Sequence, residues 1–306
     1  MKRVAAVVLV ASVALLFNRH NRPNRPEALH ESQWLSAGDA KVRAVNAGTG
    51  EPTLVLIHGF GDHLMTWRAV FDRLAEHHKV IAFDLPGFGV SEKPAGRYTL
   101  DAMTDRVRGF LSAVPGPLIL VGHSMGGEIA LNTALTESDR VVALVLIAPA
   151  GFDVGLAGMA DSMTERRARL IAIWEAARSS ILPLHDPEWL GEPKSRRDYD
   201  PSFDPAYRAS TSAVLEQFDF EALRRRATGY GRQATGYGGP VLLIWGSADP
   251  VIPVRVADSV RTALPCTRLE VLDRAFHRPQ VERPDTVAAL IQDFVANPRC
   301  GGSHSP

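Results

Sequence analysis

Three residue types that together turn a hydroxyl into a nucleophile stand at the ends of apolar runs in this chain. They are Ser124 in "LILVGHSMGGEIAL", Asp249 in "IWGSADPVIP" and His277 in "LEVLDRAFHRPQ". A serine hydroxyl attacks a carbonyl only when a base takes its proton, and an imidazole is a good base only when a carboxylate orients it. The chemistry of such a set is acyl transfer. Gly122-His123-Ser124-Met125-Gly126 reads as G-x-S-x-G between a short buried strand and a helix. Such a sharp turn forces a strained backbone on the central serine, and only small neighbours two residues either side can accommodate it.

The other histidines are weaker bases on position. His123 adjoins Ser124, so its side chain is expected to point elsewhere and pack. His58 is expected to brace the loop after its strand, while His20, His30 and His304 lie outside the sheet. Asp273 is the second choice for the acid, being at the end of the neighbouring strand. The oxyanion of a tetrahedral intermediate needs donors, and the backbone N–H of Met125, first residue after the nucleophile, is one. The other is assigned to Phe60 in "HGFGDH", whose ring would also line the pocket.

Elements that place these residues must alternate. Thr53–Ile57, Val80–Phe83, the run before Ser124, Val141–Ala148, Pro240–Gly246 and Thr267–Leu272 read as strands. Helical patterns over Met65–His78, Thr99–Val114, Glu128 onward, Val254–Leu264 and Pro284–Ala296 separate them. The expected fold is α/β, a mostly parallel sheet with helices on both faces, so that all strands end at one edge and ligands bind there. The rhythm breaks over 151–238, where helical stretches (Glu165–Ile181, Ala206–Ala227) flank a strandless segment. An inserted helical lid over Ser124 accounts for this. The core is therefore assigned to 38–150 and 239–297, with a flexible tail at 298–306.

At the N-terminus, Lys2 and Arg3 precede an apolar run from Val4 to Phe17 and then basic, polar residues. That run is roughly 20 Å as a helix, against about 30 Å for a hydrocarbon core. Residues 1–23 read as a signal peptide or a membrane anchor, which makes export or membrane association an expectation. With 34 basic and 34 acidic residues there is no electrostatic case for a nucleic-acid partner. The two cysteines, Cys266 and Cys300, form no thiolate metal site. Both are expected at the edge opposite Ser124, where they either pair or remain free thiols. No motif for a metal, nucleotide or flavin is present, so no cofactor is expected.

Taken together, "LVLIHGFGDHLMTW", "IAFDLPGFGVSEKP", "VGHSMGGEIAL", "LLIWGSADPVIP" and "FHRPQVERPD" resemble the α/β-hydrolase superfamily, over Gly38 to Ala296. The resemblance implies a triad of Ser124, Asp249 and His277, and a structural role for the Asp84–Gly89 turn. Serine at 124 departs from the aspartate of epoxide hydrolases and haloalkane dehalogenases. Phe276 stands where the family usually has a small residue. A serine esterase or lipase-like enzyme is the leading expectation. A C–C bond hydrolase of the meta-cleavage type is the second, although that group has asparagine where this chain has His123. A non-catalytic receptor on the same scaffold is the third. Apolar lid residues such as Leu156, Met159, Ile171, Trp174 and Trp189 imply an uncharged, apolar ester as the small-molecule partner.

Overall fold

The computed structural model describes residues 32–152, 205–219 and 237–300. Eight strands form one sheet: β1 (Gln33–Ala37), β2 (Ala40–Ala47), β3 (Thr53–Ile57), β4 (Val80–Phe83), β5 (Leu118–His123), β6 (Val141–Ile147), β7 (Val241–Gly246) and β8 (Thr267–Leu272). Their order is β1-β2-β4-β3-β5-β6-β7-β8. β3 to β8 are mutually parallel, whereas β1 pairs antiparallel with β2, and β2 with β4.

Burial on both faces explains why the central strands read as unbroken apolar runs. Alternate residues serve opposite cores. In β5, Leu118 and Leu120 pack in one cluster, and Ile119 and Val121 in the other. The first face is covered by α2 (Leu100–Leu111), α3 (Met125–Thr136) and α5 (Ala257–Ala263) through residues such as Phe110, Ile129 and Val260. Covering the second are α1 (Arg68–Ala75) and α7 (Pro284–Ala296), through Phe71, Leu74, Ile291 and Phe294. The remaining α-helices among the described residues are α4 (Pro205–Gln217) and the single turn α6 (Pro279–Glu282).

Three elements differ from the sequence expectation. The β1–β2 hairpin is absent from the sequence expectation; its register is set by its own short turn (Ala37 opposite Ala40), and its place in the sheet by long-range pairing of β2 with β4 (Ala44 opposite Phe83). Its local signal was Gly38-Asp39, a two-residue hairpin turn between alternating segments. Helix α3 begins at Met125 and not at Glu128. Gly126 and Gly127, which look like loop residues, sit inside it because close contact demands them: a Cβ on Gly126 would meet the carbonyl oxygens of Ile57 and His58, each at 2.3 Å. The helix assigned to Ala206–Ala227 is seen as Pro205–Gln217; it has ended by Phe218, and residues 220–227 lie outside the described residues. So do the N-terminal run, the Glu165–Ile181 helix, the apolar lid residues and the end of the tail. Among the described residues no helix is long and apolar enough to cross a membrane.

Candidate active site

Ser124 lies between β5 and α3 with φ 53° and ψ −121°, a conformation that costs free energy for any residue with a Cβ. Its neighbours hold it there. A Cβ on Gly122 would come within 2.4 Å of the Gly126 carbonyl oxygen, so both glycines of the motif are sterically required. The Ser124 N–H donates to the Ile147 carbonyl at 3.0 Å, and its own carbonyl accepts from Gly127 and Ala150. Thus the strained residue is over-determined by bonds to β6 and its loop.

The two other triad candidates come from the ends of β7 and β8. His277 Nε2 is 3.1 Å from Ser124 Oγ, and His277 Nδ1 is 2.7 Å from Asp249 Oδ2. The second Asp249 oxygen accepts the N–H groups of Val251 (2.8 Å) and Ile252 (2.9 Å), which fix its plane. Asp249 is buried, so its charge meets His277 with little solvent screening. Asp273, the alternative acid, is turned away: its side chain is 82% exposed and pairs with Arg274 at 3.3 Å.

The loop after β3 runs directly over the nucleophile. A Cβ on Gly59 would meet Ser124 Cβ at 3.1 Å and His123 Nδ1 at 3.0 Å. That contact brings Phe60, next in the chain, to the site. Met125 is the first residue of α3, so its N–H has no acceptor within the helix and is available to an oxyanion. His58 braces the loop as expected: its Nε2 accepts from Leu85 N–H at 2.9 Å, so its Nδ1 carries the proton and donates to the Gly59 carbonyl at 2.8 Å. The Phe60 ring meets Phe88 edge-on at 5.9 Å, and Phe88 in turn meets Tyr207 of α4 at 6.3 Å. Ser210 Oγ of the same helix donates to the Gly87 carbonyl at 2.6 Å. So α4 is fastened to the Asp84–Gly89 turn, whose Asp84 carboxylate accepts the N–H groups of Leu64 and Val90.

Several residues at the site escaped the sequence reading. Glu282 accepts the N–H groups of Phe276 (2.6 Å) and Arg278 (3.1 Å), one with each oxygen, and so clasps the backbone on both sides of His277. Arg278 reaches back to buried Asp62 at 2.6 Å and to Thr66 Oγ at 2.9 Å, tying the base's loop to the loop after β3. The sequence predicts only a packing role for His123. It is buried, yet its Nε2 lies 2.8 Å from the His277 carbonyl oxygen. Nothing local marks the His123 and Arg278 contacts, which span sequence separations of 154 (His123 to His277) and 216 (Asp62 to Arg278). The cysteines pair: Cys266 and Cys300 form a disulfide at the edge where β8 begins.

Residues 52–284 match the family model described as alpha/beta hydrolase fold. The chain belongs to the α/β-hydrolase family. This α/β hydrolase is 30% identical over 289 residues to 2-hydroxymuconate semialdehyde hydrolase of Pseudomonas sp. (strain CF600), covering 89% of this chain and 95% of that one. It is 28% identical over 265 residues to pimeloyl-(acyl-carrier protein) methyl ester esterase of Yersinia pseudotuberculosis, covering 81% and 94%. Among solved structures, a membrane phospholipase A, a bacterial virulence factor, superposes on this α/β hydrolase with a TM-score of 0.65. The two are 27% identical, and the match covers 96% of this chain and 94% of that one.

Proposed function

We propose that this hydrolase cleaves carboxylic esters of uncharged, apolar substrates through an acyl-enzyme on Ser124. The observation that carries the reading is the relay Ser124 Oγ to His277 Nε2 (3.1 Å) and His277 Nδ1 to Asp249 (2.7 Å), set beside a helix N-terminus. His277 takes the hydroxyl proton as Oγ bonds to the ester carbon. The carbonyl oxygen becomes an oxyanion facing the N–H groups of Met125 and Phe60. Asp249 stabilises the imidazolium and holds its tautomer. The imidazolium then gives its proton to the departing alkoxide, leaving the acyl group on Ser124. Water, deprotonated by His277, attacks that ester, and collapse of the second intermediate returns the proton to Ser124.

C–C bond hydrolysis is the second reading, and similarity to 2-hydroxymuconate semialdehyde hydrolase favours it. The esterase and phospholipase relatives favour the first. Turnover of p-nitrophenyl esters of graded acyl length, set against a vinylogous 1,5-diketone, separates the two. Faster diketone turnover overturns the ester reading. No turnover of either, with no acyl-enzyme trapped, supports a receptor. Two observations support a cell-envelope location: the apolar Val4–Phe17 run and the Cys266–Cys300 disulfide, a bond typical of oxidising compartments. Fractionation of cells expressing the full chain tests it, with recovery in the soluble cytosol as the contrary result.

A further inference from the structure

We propose that His123 is a positioning residue for the base, holding His277 in register with Ser124 through the hydrogen bond from its ring to the His277 carbonyl. The inference rests on the catalytic reading of Ser124 and His277 given above. Glu282 also pins the base's loop, but it belongs to the segment that carries His277 and would move with it. His123 belongs to β5 and is covalently joined to Ser124. His277 is therefore bonded to adjacent residues of one rigid strand end, by its side chain to Ser124 Oγ and by its main chain to His123. A ring closed over so few atoms leaves the nucleophile-to-base distance little freedom.

The chemistry of the ring fits this use. A carbonyl only accepts, so His123 Nε2 carries the proton and donates to His277. Nδ1 is then a bare acceptor, buried against Gly59 with no hydrogen-bond partner. An orphaned acceptor costs stability, which packing alone does not explain, since an apolar ring would avoid it. What the imidazole adds over an apolar ring is the Nε2–H. Burial, reinforced by His277 and by Arg278 and opposed by Asp62 across the site, pushes the His123 pKa down to about 3. The ring stays neutral at working pH. No second cation then stands 4.9 Å from the His277 ring when that ring accepts the serine proton.

His123→Phe keeps a ring and deletes the donor, whereas His123→Gln restores an N–H the same number of bonds from Cβ. The Phe variant should lose about 10- to 100-fold in kcat, the scale of a small misalignment of reacting groups, with KM little changed. The Gln variant should recover most of that loss. The downfield NMR resonance of the His277 Nδ1 proton, shared with Asp249, should shift or broaden in the Phe variant and return in the Gln variant. This readout needs no turnover, so it tests the positioning even if the ester reading fails. Full kcat and an unmoved resonance in a folded Phe variant would overturn the proposal and leave the catalytic reading standing. If the Phe variant does not fold, His123→Leu replaces it under the same two outcomes.

Discussion

The two edges of the parallel sheet are built differently. Where the strands begin, the chain reverses through glycines with positive φ, such as Gly48 and Gly116, and a disulfide joins the start of β8 to the segment after α7. Where the strands end, Ser124, Ala148 and Arg274 take positive φ, each in the loop directly after a parallel strand. These are the only such non-glycine residues among those described. Buried polar side chains also collect there: His58, Asp62, Asp84, His123 and Asp249. One edge is relaxed and covalently fastened. The other holds strain and buried polar groups in place with hydrogen bonds, which is the expected cost of fixing reactive groups at exact angles.

The largest effects should follow from substitutions at the strand ends, on turnover. Ser124→Ala and His277→Ala should each lose roughly 10⁴- to 10⁶-fold in kcat. The double variant should be scarcely worse, because residues acting as one unit lose function together. Additive losses in steady-state kinetics would mean that they act separately. Asp249→Asn keeps the shape and removes the charge, so a smaller loss, about 10²- to 10⁴-fold, is expected.

At the opposite edge the expectation is reversed. Cys266→Ser with Cys300→Ser opens a loop closed across 34 residues, which should cost roughly 3 to 4 kcal/mol in chemical denaturation. The kcat should stay the same. A fall in kcat at temperatures where the variant is fully folded would break the distinction between the edges.

Acid should weaken the catalytic edge through His123. Its pKa is about 3 in the folded chain and near 6.5 when unfolded. Between these values the unfolded chain binds more protons. The stabilisation is therefore complete above roughly pH 6.5 and is lost as pH falls toward 3, on the order of 3 kcal/mol between pH 7 and 4. His123→Gln should show a shallower fall in urea midpoint over that window. Identical slopes would show that the ring takes its proton while folded.

The smallest effect concerns strain outside the relay. Arg274 has φ 54°, its N–H donates to Ser247 Oγ at 2.9 Å, a bond glycine would keep, and its side chain, 87% exposed, makes a surface ion pair with Asp273. Arg274→Gly should raise stability by about 1 kcal/mol or less in denaturant titration.

What could be read from the sequence follows the range of the interactions. β3, β4 and β8 match the structure residue for residue, because period and burial are local properties. Ser124, Asp249 and His277 could be placed on one edge once the strands were read as parallel, since each follows a strand. The β1–β2 hairpin carries a local signal in Gly38-Asp39, but its place at the edge of the sheet comes from pairing of β2 with β4, which no local pattern gives. Nor does any local pattern give the Asp62–Arg278 pair or the His123 contact, which join loops that meet only after the sheet forms; the Glu282 clasp is local, within six residues, but no spacing rule marks it. The return of the closing helix antiparallel to β8 places both cysteines at the edge opposite Ser124 from sequence alone, but their pairing depends on a final Cα–Cα approach of 4.4 Å that no local pattern supplies. The Gly126-Gly127 pair misled because close packing and chain flexibility call for the same residue.

The central claim, that Ser124 is made nucleophilic by His277, is tested most directly by fluorophosphonate labelling of the intact chain followed by peptide mass spectrometry. The probe needs an activated serine and not merely a folded pocket. The expected result is a single adduct on the peptide carrying Ser124, absent in Ser124→Ala and formed far more slowly in His277→Ala. Labelling that persists undiminished in Ser124→Ala would contradict it.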